Sequence, residues 1–515
     1  AVANITVAPD AALTFRDVIV TTGSEVATVL SAFQVMPQPP KINTVAPNQG
    51  QRGQTLNVAV TGENTNFVNG TSLISFSGTG ITVNSTTVTS PTAAVANITI
   101  APDAPATLRD VGIRTGGEIV AALGSFQVQL QPAVQFGIAG YNVGEGAGRA
   151  TLTVVRVGST SEPVTLTYRT RDADAFIFGC ADTVNNGGAA YGRCDFATTV
   201  GSLSFASGED SKTITVPVID DAHVEGNETF DVVILTSTGV SIGTPATATV
   251  SIIDNDAAGT ANPIFSTSFF VREHYLDFLS REPEAGEPWS GVLNGCPDVN
   301  NLDPASPSAR CDRLTVSAAF FGSPEFQLKG FYVYRFYKLA LNRLPEYPEI
   351  IDDMSFVAGA TPEEVYLRRA QFAANFTRRT DFQTNFGAMS NGDYVALLLS
   401  RYLLTQITTP DPANPEGAVK VTFTSADLVD KLNSGALTRT QVLRAVADSD
   451  QVGAAEFNRA FVAMQYYGYL RRTPEPAGYE SWLTFLNANP TDFRKMVDGF
   501  LNSSEYRLRF GRPTP

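Results

Sequence analysis

Histidine is almost missing from this chain: 515 residues contain only His223 and His274. A Ser-His-Asp triad or an H-E-x-x-H zinc helix therefore has almost nothing to be built from. Tryptophan is as scarce, with Trp289 and Trp482, and cysteine stops at four. No run of 18 or more apolar residues occurs, which leaves no transmembrane segment to assign. Charged residues reach only 17% against 43% hydrophobic, the balance of folded domains rather than of a disordered chain. Lysine and arginine are outnumbered 36 to 51, without the basic patch that a nucleic-acid partner needs. G-x-S-x-G, Walker loops, strand-to-helix G-x-G-x-x-G and EF-hand loops are missing as well. The expectation is a protein that is not an enzyme. A carboxylate-pair glycosidase alone stays open, because two acids can stand anywhere in a sequence.

What charge there is lies unevenly. Residues 1–132 hold 5 Lys/Arg and 7 Asp/Glu, residues 133–260 hold 6 and 15, and residues 261–515 hold 25 and 29. The middle quarter thus carries −9 of the net −15, a concentration that attracts cations and repels nucleic acid. The cysteines fall into two close pairs, Cys180 with Cys194 and Cys296 with Cys311, without C-x-x-C spacing. That pattern argues against zinc and for two local disulfides formed in an oxidising compartment. Each would close a loop of about 15 residues, on the order of 3 kcal/mol in the chain-entropy model.

The chain also repeats itself. Residues 1–35 align without a gap on residues 94–128, at an offset of 93. VANITI, RDVGIRT and SFQVQL alternate apolar and polar side chains between Pro-Asp and Gly-Gly turns, which predicts β-sandwich repeats. The complete copy opens with KINTVAPNQGQRGQTLNVAVTGENTNF, whose P-N-x-G-x-x-G-x-T-L-x-V-x-x-T-G-x-N-x-x-F pattern resembles the IPT/TIG immunoglobulin-like domains of bacterial surface proteins. That resemblance implies an adhesive or spacer module. Residues 1–37 correspond to only the second half of such a domain. Half a sandwich leaves its inner face and strand edges open. Two explanations are open: a chain that continues upstream, or strands supplied by a neighbouring molecule in head-to-tail growth.

Residues 133–257 read as a second sandwich, with RATLTVVRV, VTLTYRT, KTITVPVID, ETFDVVIL and TATVSIID as strands. Carboxylates gather at the strand ends: Asp220 and Asp221 close one strand, Glu225 and Glu228 precede the next, and Asp254 and Asp256 close the last. Calcium takes six to eight oxygens, a number that converging loops can supply and one short peptide here cannot. The V-G-E-G stretch, T-R-D-A-D-A, I-D-D-A-H-V-E-G-N-E-T-F and I-I-D-N-D resemble the Calx-beta domain, a calcium-binding module. The resemblance implies Glu145 and Asp172 at the same pole, giving Glu145, Asp172, Asp220, Asp221, Glu225, Glu228, Asp254 and Asp256 as expected ligands of Ca²⁺. Asp195 matches a further family acid. Ala222 and Asn255 replace charged positions, which counts against a second ion and against tight binding.

From about residue 264 the apolar period becomes 3.6, as in SFFVREHYLDFLSRE and AEFNRAFVAMQYYGYLRR. Thr361 and Ser425 read as helix caps. A Tyr-x3-Leu-x-Arg-x-Pro motif recurs at Tyr275, Tyr337 and Tyr466, with its proline expected to stop the helix and its arginine to be a buried or capping donor. These residues resemble a bacterial helical domain of unknown function, number 4214, which implies no activity. The expected fold is therefore multi-domain, with all-β immunoglobulin-like sandwiches in the N-terminal half and an all-α domain in the C-terminal half. Its parts are a half repeat at 1–37, a complete repeat at 38–132, a Calx-beta sandwich at 133–257 and a helical domain at 264–515. The expected function is a secreted, calcium-rigidified subunit of a surface layer, fibre or matrix that self-associates as a homopolymer or binds other surface proteins. The alternatives are an adhesin whose helical domain holds a glycan or protein, and a non-catalytic module of a larger enzyme.

Overall fold

The computed structural model describes residues 1–172, 179–180, 187–359, 361–415, 417, 419–490 and 492–514. It divides into two units, residues 1–133 with 157–160, and residues 134–156 with 161–515. The first unit begins with a hairpin, β1 (Phe15–Thr22) and β2 (Glu25–Gln34). The complete repeat follows with β3 (Lys41–Ala46), β4 (Gln49–Gln51), β5 (Thr55–Glu63), β6 (Leu73–Phe76), β7 (Ile81–Ser90), β8 (Ala93–Ile100), β9 (Leu108–Thr115) and β10 (Glu118–Gln129). These strands form two four-stranded sheets, β4-β10-β9-β6 and β3-β5-β8-β7. Alternation along β8 sends Ala94, Ala96, Ile98 and Ile100 into the space between the sheets, against Val58, Val60, Val111 and Phe126.

The hairpin reproduces β9 and β10 down to an irregularity. In β10 the pairing with β9 shifts between Ala122 and Phe126, and Gly124 there has φ +56° and donates its N–H to Asp110 Oδ1 at 2.7 Å. In the hairpin, Ser31 has φ +53° and donates to Asp17 Oδ1 at 2.8 Å. The local structure is thus written twice, but the burial is not. Val111 and Ile113 are 0% and 1% exposed, whereas their counterparts Val18 and Val20 are 43% and 48% exposed.

The second unit opens with the acidic sandwich, built from β11 (Ala133–Phe136), β12 (Gly140–Gly144), β13 (Arg149–Val157), β14 (Val164–Asp172), β15 (Val200–Phe205), β16 (Ser211–Pro217), β17 (Glu228–Thr238), β18 (Ser241–Ile242) and β19 (Thr247–Ile253). Its sheets run β16-β13-β11-β18 and β12-β19-β17-β14-β15, and Leu152, Val154, Leu166, Phe196, Phe230 and Val250 fill the core. Register places Asp172 opposite Phe230, Glu228 opposite Ile252 and Gly144 opposite Ile253, so four neighbouring strands start or finish at one pole.

The C-terminal half is mostly helical, around a large aromatic core that includes Phe278, Tyr332, Tyr337, Phe376, Tyr469 and Tyr506. The repeated motif takes one shape three times. Arg281, Arg343 and Arg472 lie over the rings of Tyr275, Tyr337 and Tyr466 at 4.9, 5.3 and 5.1 Å. Each also pairs with a glutamate: Glu325 at 2.7 Å, Glu349 at 2.6 Å and Glu505 at 2.7 Å respectively. These arginines are half-exposed ion-pair formers rather than buried or capping donors. The helix ends before the proline is reached, at Ser280, Asn342 and Arg471, with φ of 52°, 54° and 53°.

Other details differ from the sequence reading. Tyr275–Leu279 and Tyr337–Leu341 are π-helical turns. Thr424, not Ser425, caps its helix, in a reciprocal capping box with Asp427. A strand pair, β20 (Gln406–Pro410) with β21 (Lys420–Thr424), interrupts the helices. Both cysteine pairs form disulfides. Trp289 and Trp482 pack partly buried, 5.6 Å from Phe320 and 5.8 Å from Phe500. Among the described residues no helix is long and apolar enough to cross a membrane.

The unequal burial of the two repeat copies has a measurable consequence. Phe126→Ala, at a fully buried site, is expected to cost about 3–5 kcal/mol in denaturant unfolding. Phe33→Ala, at the half-buried equivalent in the hairpin, is expected to cost under about 1 kcal/mol.

Candidate metal centre

The pole of the acidic sandwich is assembled from short segments that follow or precede strands. Glu145 opens a single turn, Glu145–Ala147, directly after β12. Asp220 and Asp221 lie just beyond β16, Glu228 starts β17, and Asp254 and Asp256 follow β19. Asp195 directly follows Cys194, the second half of the Cys180–Cys194 disulfide. Among the described residues two trios result. Glu145, Asp220 and Asp256 each offer a carboxylate oxygen, all within 4.8 Å of one another; Asp195, Glu225 and Glu228 do the same.

The remaining expected ligands stand at this pole but outside the trios. Asp254 organises loops: its Oδ2 accepts from Glu225 N at 2.9 Å and Gly226 N at 2.8 Å, and its Oδ1 from Asp256 N at 2.7 Å. Asp172 accepts from Gly192 N at 3.0 Å. Asp221 is 4% exposed and donates its backbone N–H to Glu145 Oε1 at 3.0 Å, so it ties the first trio to its own loop. Asn255, at a position where charge was expected, donates its side-chain amide to Asp220 Oδ1 at 3.0 Å and holds that carboxylate in place. A Cβ on Gly146 would come within 2.8 Å of that amide nitrogen, which explains glycine beside Glu145.

Asp195 was legible only as one more acid. What gives it its place is its position next to Cys194, and the loop geometry that carries it to Glu225 and Glu228 cannot be read from spacing.

The electrostatics of the pole are adverse. Burial first, and then the charges of Asp256, Asp220 and Asp254, raise Glu145 to about 7 against the lowering effect of the Asp221 N–H. Burial raises Asp195 to about 6. Burial followed by the charge of Asp195 drives Asp221, Glu225 and Glu228 up as well. Among the described residues two buried oxygens of this pole, Asp221 Oδ2 and Asp256 Oδ2, have no hydrogen-bond partner. An unmatched buried carboxylate oxygen is costly. A divalent cation would supply the missing partner and the missing charge. The trios contain only carboxylate oxygens, with no imidazole or thiolate, which suits a hard ion of the calcium or magnesium class rather than zinc or copper. The residues present therefore fit such an ion.

Comparison with known proteins matches two parts of the chain. Residues 129–179 and 181–256 match the Calx-beta domain, and residues 451–510 match the domain of unknown function DUF4214. The sodium/calcium exchanger Calx of Drosophila melanogaster is 34% identical over 120 residues, covering 23% of this chain and 11% of the exchanger. The adhesion G-protein coupled receptor V1 of Danio rerio is 33% identical over 144 residues, covering 28% of this chain and 2% of the receptor. Among solved structures, the apo-form Calx CBD1 domain is 31% identical with a TM-score of 0.21, covering 24% of this chain and 99% of that domain. The chain thus spans only a small fraction of the length of the exchanger and the receptor.

The raised carboxylates set a pH dependence. A carboxyl whose folded pKa lies above its unfolded value favours the fold below the unfolded pKa, and that contribution disappears as pH climbs through the folded value. For Glu145 the window runs from 4.5 to about 7. In chelator, the melting temperature of the acidic sandwich is expected to fall between pH 5 and pH 8. With excess calcium the fall should flatten, because the ion binds the deprotonated oxygens. Circular-dichroism melts across that range check both.

Proposed function

We propose that this chain is a calcium-binding structural subunit of an extracellular surface layer, fibre or matrix, of bacterial origin, and not an enzyme. The observation that carries the reading is the pair of carboxylate trios, with buried oxygens on Asp256 and neighbouring Asp221 that have no partner among the described residues. The Calx-beta match supports it, and the two disulfides support an oxidising, extracellular setting. The IPT/TIG-like repeat fits a spacer role in such an assembly. In this reading Glu145, Asp220 and Asp256 hold one ion and Asp195, Glu225 and Glu228 a second. Asp172, Asp221 and Asp254 shape the loops around them.

Binding to the folded state alone stabilises it by about 2.7 kcal/mol at a hundredfold excess over Kd. The melting temperature of the acidic sandwich should therefore rise by about 5 °C or more when calcium replaces chelator. Asp195→Asn with Glu228→Gln should remove part of that rise, and adding Asp220→Asn should remove the rest. A melting temperature indifferent to calcium sinks the reading.

Self-association is the partner reading. The hairpin carries a closely similar sequence and the same backbone irregularity as β9 and β10, yet Val18 and Val20 are exposed where Val111 and Ile113 are buried. In the complete repeat the matching face is covered by the sheet β3-β5-β8-β7. Strands of that type from another copy would cover it here by β-strand addition. Light scattering should show association rising with concentration, and Val18→Glu with Val20→Glu should abolish it. Strict monomers at high concentration contradict this.

An adhesin is the second reading. It is favoured by a 730 Å³ cleft between the acidic sandwich and the helical module, where Arg169, Asp352 and Arg472 surround Tyr347. Glycan-array binding lost in Tyr347→Ala would move the assignment to it.

A further inference from the structure

The carboxylates of the pole face one another, but the loops that carry them have another side. The first trio's Glu145 lies in a turn that closes at Gly148, and Asp220 lies two residues past Val218. Arg272, in the helix Thr267–His274, donates to both of these flanking carbonyls, to Gly148 O at 2.7 Å and to Val218 O at 3.0 Å. Glu282 holds the same guanidinium at 2.6 and 2.9 Å, so its fork is fixed in direction. Further along the Asp220–Glu225 loop, His223 Nε2 is 2.9 Å from Leu508 O.

The second trio is held in the same way. Asp195 faces Glu225 and Glu228, while the three residues before it face the helical module. Gly192 O accepts from Arg471, whose Nη1 also lies 2.9 Å from Cys194 Sγ. Arg193 donates to Asp277 O at 2.8 Å, and its own carbonyl accepts from Arg509 at 2.8 Å. Arg509 pairs with Asp277 at 2.6 Å and Glu273 at 3.0 Å, and the four side chains of this network are each no more than 4% exposed. Two arginines and two acids in full burial keep their place only if all four stay together, since a broken buried pair leaves an uncompensated charge.

From this geometry we infer that the helical module is a working part of the metal centre: Arg272, Arg471 and Arg509 are positioning residues that hold the ligand-bearing loops from behind. Residues 145–148, 192–195 and 218–223 each join a cation-facing carboxylate to a contact with the helical module. Drawing the carboxylates together around an ion therefore fixes the backbone that the arginines grip, and a released arginine frees a loop to drift out of coordinating position. Coupling of this kind is reciprocal: the module raises the affinity for calcium, and calcium tightens the docking of the module. The inference rests on the calcium reading above and adds what the DUF4214-containing half does for it.

The test uses the full chain. Calcium affinity is measured by calorimetry for the wild type, for Arg272→Met, and for Arg343→Met, which breaks a comparable two-pronged arginine–glutamate pair, with Glu349, inside the helical module. Outer partners of metal ligands are typically worth about 10–100-fold in affinity. Arg272→Met should weaken calcium binding by at least about tenfold, and Arg343→Met should leave it unchanged. Hydrogen exchange supplies a readout without substitution: calcium should slow exchange at residues 508–511 of the wild type and do so less in Arg272→Met.

Calcium binding of wild-type strength by Arg272→Met, or exchange at residues 508–511 that ignores calcium, overturns the inference while leaving the metal centre standing. A wild type that takes up no calcium removes both. Equal weakening by the two variants marks a general loss of stability and also counts against it.

Discussion

The constraint on which this structure turns is the crowding of carboxylates at one end of one sandwich. Glu145, Asp195, Asp220, Asp221, Glu225, Glu228, Asp254 and Asp256 meet where strands of both sheets end, and several of them are raised by burial before their mutual repulsion is added. Like charges in a low-dielectric setting repel by kilocalories, not tenths. A fold can tolerate that only by holding protons or by holding cations. At neutral pH protons are a partial remedy, and a divalent ion at each trio is a complete one. It would also give a partner to the Asp256 oxygen that lacks one among the described residues.

The helical half is arranged around the same problem. Its arginines do not neutralise the trios directly; they bind the carbonyls and the disulfide behind them, while Glu273, Asp277 and Glu282 balance the arginines in turn. Arg471 also draws Asp195 and Asp172 down electrostatically, and the grip as a whole removes much of the freedom of the loops. Two modules of unrelated architecture thus share one electrostatic device. The repeats of the first unit stand apart from it: their sandwich is held by alternating apolar side chains such as Ile98 and Val111, and their chemistry is that of strand pairing.

Much of this was legible before any coordinates. Alternation in VANITI and the offset of 93 give the repeat strands, because period-two patterning and a duplicated segment are local properties of sequence. Carboxylates beside predicted strand ends mark the pole for the same reason. The partition into two trios was not legible. It depends on how far each loop leans, and Asp195 reaches Glu225 and Glu228 from a tight turn that its own backbone and side chain make with Tyr191. The interface network was out of reach altogether, since Arg509 meets Asp277 across 232 residues of chain. The π-helical turns at Tyr275 and Tyr337 escaped because π and α segments share one apolar stripe over a single turn. The strands Gln406–Pro410 and Lys420–Thr424 did carry a signal, the β-branched runs ITT and VTFT, which the surrounding helical period masked.

The most direct measurement is the anomalous scattering from a crystal of the full chain grown with calcium and then exchanged into terbium, an ion of similar size and oxygen preference. The account predicts two peaks at the sandwich pole, one coordinated by Glu145, Asp220 and Asp256 and the other by Asp195, Glu225 and Glu228. A pole without anomalous density, with its carboxylates turned toward water, would contradict it.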